Sequence, residues 1–288
     1  MTAEAGRAMM TRGVRRGAYL LPSLFTIGNI LLGFYAVILG LRSAGLIPHD
    51  PSLGEPRSGF GLAALLVFVA GILDALDGRI ARLIGTESDF GKEYDSLADV
   101  FTFGAVPALL TYLWGLYEWG RPGWLVPFFY LVCTATRLAR FNVQTRVVDA
   151  RYFVGLPAPA AAGAICSILY FDPNSYFAPD SAWKTWMQLL VLVSLVLIGA
   201  LMVSTFRYHS FKKIDPRQRW SYRTFVPLAS VILVIAWKPR AVFLAIAVLF
   251  TLSGPVSFAI NKWRSRPRRP KTPMPPPEPG GGESAAPS

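Results

Sequence analysis

The sequence has 288 residues, of which 53% are hydrophobic and only 16% are charged. Soluble proteins usually contain about 45–50% apolar and about 25% charged residues, and disordered chains contain fewer apolar residues still. The composition therefore excludes a mainly soluble or mainly disordered chain and predicts a polytopic membrane protein. The net charge of +12 suits either nucleic-acid binding or a membrane protein with basic cytoplasmic loops, and the positions of the charges decide between them.

Apolar runs follow one another along the chain. A helix that crosses a bilayer needs about 20 mainly apolar residues, because the hydrocarbon core is about 30 Å thick. Eight runs reach or approach this length, so the predicted fold class is all-α, a polytopic bundle of about eight transmembrane helices. The predicted spans are residues 20–41, 60–82, 97–116, 124–138, 156–170, 187–206, 224–237 and 241–260.

Basic residues are distributed unevenly between the two sides that these spans define. With the N-terminus in the cytoplasm, 23 of the 29 Lys and Arg residues fall on the cytoplasmic side and 6 on the other. Membrane proteins show this bias, so the count predicts that both termini are cytoplasmic, in the inner (cytoplasmic) membrane, with no nucleic-acid partner. Residues 1–18 are predicted to be a basic tail, 19–262 the membrane domain, and 263–288 a disordered Pro- and Gly-rich tail.

The second predicted span ends in charged residues, which spans ordinarily avoid. Asp74, Asp77, Gly78, Ala81 and Arg82 are spaced i, i+3, i+4, i+7 and i+8. On a helix this spacing places all five on one face. The two carboxylates are therefore predicted to point in the same direction at the cytoplasmic end of the span.

The third span is preceded by a matching face on the same side of the membrane. Gly91, Asp95 and Asp99 are spaced four residues apart, so they line one side of a helix. A short connection, about residues 83–90, joins the two segments and predicts that their helices are antiparallel neighbours. Four aspartates are thereby expected to face one interhelical space.

Four carboxylates in one space at the membrane boundary repel one another. Arg82 alone cannot neutralise them, whereas divalent cations can. All-oxygen sites suit hard ions, so we expect two Mg²⁺ or Mn²⁺ ions held by Asp74, Asp77, Asp95 and Asp99. A cation transporter with an aspartate-lined path is the alternative of a different class, but it leaves Gly78 and Arg82 without a role.

The complete pattern D-x2-D-G-x2-A-R-x8-G-x3-D-x3-D resembles the signature of the CDP-alcohol phosphatidyltransferases. The resemblance implies a membrane enzyme that displaces CMP from a CDP-linked lipid with an alcohol, and it implies a possible homodimer. It also implies that Asp99 is the catalytic base. Residues implied to contact the CDP-lipid are Asp74, Gly78, Ala81, Arg82 and Gly91, together with Thr26 and Asn29 near the start of the first span.

Further segments are similar to the bacterial and archaeal serine-using branch of this family. They lie at residues 21–29, 95–108, 137–142, 153–163 and 201–212. The implied reaction transfers the phosphatidyl group of CDP-diacylglycerol to the hydroxyl of L-serine at the cytoplasmic side of the membrane. Arg137 and Arg140 could bind the serine carboxylate or a lipid phosphate, because arginine forks onto such oxygens. The alternative within the family is another acceptor or donor: a glycerol phosphate, an inositol phosphate or an archaeal-type lipid.

Overall fold

The computed structural model describes residues 20–48, 59–84, 89–145, 153–174, 181–208 and 236–264. Within these ranges the regular secondary structure is helical except for one two-residue antiparallel strand pair, β1 (Phe153–Val154) with β2 (Arg207–Tyr208). The predicted all-α class is thus observed apart from this short pair. The helices are α1 (Leu20–Ser43), α2 (Phe60–Ile84), α3 (Asp89–Asp99), α4 (Val106–Trp114), α5 (Arg121–Thr145), α6 (Ala158–Phe171), α7 (Ala182–Val203) and α8 (Pro239–Arg264).

Five stretches of the described chain are long and apolar enough to cross a membrane. They are Leu24–Ser43, Phe60–Ile80, Phe90–Trp114, Ala182–Val203 and Pro239–Ile260. These correspond to the first, second, third, sixth and eighth predicted spans. The fifth is the shorter apolar helix α6, and the fourth lies in α5, whose polar residues keep it outside this group. The seventh span, residues 224–237, falls almost wholly outside the described residues, so the count of eight and the orientation of the termini stay predictions.

Helix α1 packs closely against the third span through two glycines seven residues apart. A Cβ on Gly33 would lie 3.0 Å from Thr102 Oγ1, and one on Gly40 would lie 2.7 Å from Leu110 Cδ2. Small residues on one helix face allow backbones to approach in this way in a membrane, where burial of apolar surface offers no drive for association. This packing places the start of α1 beside the charged end of the third span.

The third span is not one regular helix. Between α3 and α4, residues Val100–Ala105 form a π-helical turn, here called the wide turn, in which the Val106 N–H donates to the Phe101 carbonyl. The wide turn changes the direction in which side chains point before and after it, as Leu97 and Leu109 show, since both are exposed. In an uninterrupted α-helix residues twelve apart would differ by about 120° around the axis, and a π turn removes most of that difference. Both leucines can therefore face lipid while Asp99 faces inward.

A partly buried polar network ties the opposite end of the third span to α7. The Lys184 ammonium donates to Glu118 Oε1 at 2.8 Å, and Gln188 donates to Glu118 Oε2 at 2.9 Å. Burial alone would raise the pKa of Glu118, but these hydrogen bonds and the Lys184 charge outweigh it, so the pKa is lowered. The network satisfies the polar groups of the Leu116–Trp119 turn, so this end is fixed.

The strand pair brings together two of the segments singled out in the sequence, residues 153–163 and 201–212. Gly155 follows β1 with φ of +84°, a conformation that favours glycine, and a Cβ there would collide with the Met202 carbonyl oxygen. The Gly155 N–H donates to the Phe206 carbonyl at 2.8 Å. These contacts fix the chain that enters α6 against the end of α7.

Candidate active site

Three carboxylates from two helices converge where α2 ends and α3 lies beside it. Single oxygens of Asp74, Asp95 and Asp99 all lie within 4.8 Å of one another; these three residues are called the acidic cluster. Asp74 comes from α2, while Asp95 and Asp99 stand one turn apart on α3. Asp74 and Asp95 are half-buried, and Asp99 is 9% exposed. Three of the four aspartates predicted as metal ligands are thus brought together.

The fourth, Asp77, is held by helix α1. Thr26 Oγ1 donates to Asp77 Oδ2 at 2.8 Å, and Asp77 is 6% exposed. Its other oxygen, Oδ1, is buried and has no hydrogen-bond partner within the described chain. Asp77 acts electrostatically on all three members of the acidic cluster. The Thr26 hydroxyl therefore contacts Asp77 in this structure. Its contact with CDP-lipid stays a prediction.

The chemistry of the acidic cluster suits a hard divalent cation. Its donors are all carboxylate oxygens, which Mg²⁺ and Mn²⁺ prefer. Asp99 Oδ1 is buried with no hydrogen-bond partner among the described residues. Among the described side chains, Arg137 is the one positive charge that acts on Asp99. A buried carboxylate group with so little compensation would be stabilised by an additional positive charge, such as that of a divalent cation.

The glycines of the signature border the acidic cluster. Gly78 directly follows Asp77 and is exposed, and a Cβ on it would meet nothing within 4 Å. Gly91 is half-buried one turn before Asp95. Ala81 and Arg82 lie in the last turn of α2, and their side chains are outside the described part of the structure. The open surface at Gly78 leaves room for a ligand directly beside the carboxylates.

Asn29 lies one turn after Thr26 on α1. It is 1% exposed, and neither its amide nitrogen nor its amide oxygen has a hydrogen-bond partner in the described ranges. Its backbone carbonyl accepts from Thr102 Oγ1 in the wide turn at 3.4 Å. A fully buried amide with both ends unsatisfied is costly, so this residue is suited to bind a polar ligand group.

The structure separates the two arginines that the sequence paired. Arg137 is 9% exposed, acts electrostatically on Asp99, and has a buried Nε without a hydrogen-bond partner in the part of the chain described. Arg140 instead donates from Nη1 to the Val203 carbonyl at 3.3 Å, at the end of α7. A cation satisfying a terminal carbonyl stabilises a helix end. Arg137 thus lies at the site, and Arg140 anchors α5 to α7.

Sequence reasoning assigned no role to Ser96 or Asn142, which join α3 to the end of α5. The Asn142 amide donates to Ser96 Oγ at 3.0 Å, and Ser96 also contacts the Asn142 oxygen at 3.3 Å. Ser96 lies between Asp95 and Asp99 in the chain. This contact links α3, which carries Asp95 and Asp99, to the helix carrying Arg137. The sequence offered one signal for this contact, because Asn142 is a polar residue within segment 137–142, which is similar to the serine-using branch.

Comparisons with known proteins agree with this geometry. A family model described as CDP-alcohol phosphatidyltransferase matches residues 19–194. A Helicobacter pylori (strain J99) protein is 36% identical over 235 residues, covering 81% of this chain and 89% of the relative. A Bacillus subtilis (strain 168) protein is 31% identical over 193 residues, covering 67% of this chain and 92% of the relative. A Methanocaldococcus jannaschii protein is 35% identical over 149 residues, covering 51% and 63%. All three are named CDP-diacylglycerol–serine O-phosphatidyltransferase.

Proposed function

Because the chain belongs to the CDP-alcohol phosphatidyltransferase family, we propose that it transfers the phosphatidyl group of CDP-diacylglycerol to the hydroxyl of L-serine and releases CMP. The observation that carries this proposal is the Helicobacter pylori relative of that name, whose similarity extends over 81% of this chain. The acidic cluster beside an open glycine surface supports the same reaction. We place the enzyme in the inner membrane with this site facing the cytoplasm, on the distribution of basic residues. Association of two copies stays a prediction.

Asp99 is the proposed base. The serine hydroxyl is a weak nucleophile near neutral pH and needs a carboxylate within hydrogen-bond reach. As the serine oxygen forms its bond to the phosphorus of the phosphatidyl group, its proton passes to Asp99. The bond between that phosphorus and the oxygen of the CMP phosphate breaks, and CMP leaves with the electron pair. Burial of Asp99 supports this role, because water then competes less for the carboxylate.

The acidic cluster would hold the cations. Asp74, Asp95 and Asp99 are the proposed ligands, and Asp77, oriented by Thr26, is the fourth. Two divalent cations, Mg²⁺ or Mn²⁺, would supply neutralisation of the diphosphate and of the charge that develops on the leaving CMP. We propose that Gly78, Ala81, Arg82, Gly91 and Asn29 contact the cytidine diphosphate part of the donor. The open surface at Gly78 and the unsatisfied Asn29 amide support that assignment.

A panel of acceptors tests the proposed function. Purified protein is given CDP-diacylglycerol and Mn²⁺ or Mg²⁺, and CMP release is measured with serine, glycerol 3-phosphate or inositol phosphate. We expect CMP release and a phosphatidylserine product with serine alone. If CMP were released with a phosphorylated alcohol instead, that alcohol and not serine would be the acceptor, and the reaction class would stay the same. No CMP release with any acceptor would contradict an enzymatic role.

Arg137 is proposed to bind the serine carboxylate next to Asp99, and Arg140 provides the matched control. A hydrogen bond to a charged group contributes about 1.5–3 kcal/mol, so Arg137→Gln should raise the KM for serine about 10- to 100-fold. The KM for CDP-diacylglycerol should change little. Arg140→Gln removes an equal charge three residues away and should leave the serine KM unchanged. Equal effects of both variants, or a change confined to the CDP-diacylglycerol KM, would contradict this assignment.

A further inference from the structure

The wide turn begins directly after the proposed base. Asp99 is the last residue of α3, and the wide turn starts at Val100. A π turn places the residues before it at a different angle to those after it than an α-helix would. The direction in which Asp99 points relative to the buried helix α4 therefore depends on whether this turn keeps its π-helical conformation.

A proline in the first turn of α4 removes a backbone donor next to the wide turn. In an α-helix the donor to the Phe103 carbonyl would be the N–H of residue 107, but Pro107 has none. The Phe103 carbonyl instead accepts from the Tyr130 hydroxyl at 2.9 Å. Phe103 and Tyr130 are both fully buried. The phenol of α5 thus supplies the Phe103 carbonyl with a hydrogen bond in place of the one that Pro107 cannot donate.

Helix α5 also packs closely against the wide turn. A Cβ on Gly104 would lie 3.0 Å from Leu131 Cδ1 and 3.2 Å from Thr134 Cβ. One turn after Thr134 on α5 comes Arg137, which acts on Asp99. One face of α5 therefore supports the wide turn and reaches the proposed base.

We propose that Tyr130 is a positioning residue that holds the wide turn and thereby sets the orientation of the Asp99 carboxylate. This inference rests on the proposed function of Asp99. Tyr130 does not reach the substrate in this role. It acts through the Phe103 carbonyl and the backbone between residues 99 and 105.

Tyr130→Phe removes the hydroxyl and keeps the ring, so it tests the proposal directly. A displaced catalytic group loses rate steeply, and we expect kcat to fall about 10- to 100-fold. At saturating Mn²⁺ the KM for CDP-diacylglycerol should stay within a factor of about two, because the loss then arises after binding. The Kd for Mn²⁺, measured without substrate from the EPR signal of the free ion, should rise about 10-fold, as it does when support of a ligand is lost.

Ser167→Ala is the matched control. It removes a fully buried hydroxyl from α6, one that donates to the Ala164 carbonyl of its own helix, and it leaves α5 unchanged. It should lower the melting temperature as much as Tyr130→Phe does, while kcat and the Mn²⁺ Kd stay at the wild-type values. If the two variants change all of these quantities equally, Tyr130 is only structural and the proposal is wrong.

Gly104→Ala gives an independent test that leaves the Tyr130 hydroxyl in place. The added Cβ should push the wide turn away from α5 and raise the Mn²⁺ Kd in the same way. An unchanged Kd in a folded Gly104→Ala protein would overturn the proposal, also where Tyr130→Phe cannot be isolated. Failure of the proposed function has a different signature, since the wild-type protein would then release no CMP with any acceptor.

Discussion

Replacement of Asp99 with asparagine is expected to reduce CMP release by about 10³- to 10⁴-fold while binding of CDP-diacylglycerol remains measurable. A positioned general base contributes about 10²- to 10⁴-fold to a rate. Asparagine has nearly the same shape as aspartate but cannot accept the serine proton. It also removes one of the three carboxylates of the acidic cluster, so the loss should lie at the upper end of that range.

The measurement is serine-dependent CMP release, paired with a binding assay for CDP-diacylglycerol. Asp172→Asn is a suitable control, because Asp172 accepts from Trp183 Nε1 at the opposite end of the third span, and asparagine keeps an acceptor oxygen. The control should retain wild-type turnover. Near-normal turnover of Asp99→Asn would show that another group removes the proton.

Asp74→Ala is expected to lose the metal and the donor together, with CMP release lowered by about 10³-fold. Asp74 is the one member of the acidic cluster that α2 provides, so its removal leaves two carboxylates on one helix. Bound metals contribute several kcal/mol of charge stabilisation to such reactions. The variant should nevertheless fold, because removing one of several buried like charges relieves repulsion.

Thermal unfolding with and without Mn²⁺ measures this loss. A ligand that binds only the folded state stabilises it by about 2.7 kcal/mol at a concentration 100 times its Kd. The wild-type protein and Asp172→Asn should therefore melt at a higher temperature when Mn²⁺ is added, and Asp74→Ala should not. An equal shift in all three proteins would refute the role of Asp74 as a ligand.

Helical periodicity was enough to predict three of the four aspartates that were expected to face one another. Asp74 and Asp77 are three residues apart, and Asp95 and Asp99 are four apart, so a helix must place each pair on one side. The short connection between the two helices makes them neighbours. The structure brings Asp74, Asp95 and Asp99 together as expected. Their roles as ligands and base stay predictions.

Contacts between distant segments were not accessible to the same reasoning. The Thr26 contact with Asp77 joins residues 51 apart, and the different environments of Arg137 and Arg140 depend on where α7 ends. The wide turn accepts a hydrogen bond from a hydroxyl on another helix, although Gly104 and Pro107 were local signals for an irregular span. A prediction from periodicity assumes that each span is one regular helix. It therefore cannot detect that the side-chain directions around the helix axis change after Asp99.

Mn²⁺ binding in the presence and absence of CDP-diacylglycerol tests most directly whether the acidic cluster joins a divalent cation to the donor lipid. If the bound cation strengthens binding of the donor, the donor must strengthen binding of the cation by the same factor. EPR titration of the wild-type protein should show a lower Mn²⁺ Kd with CDP-diacylglycerol than without it, and Asp74→Ala should lose both the binding and the difference. A Kd that is unaffected by the donor and by loss of Asp74 would contradict the account.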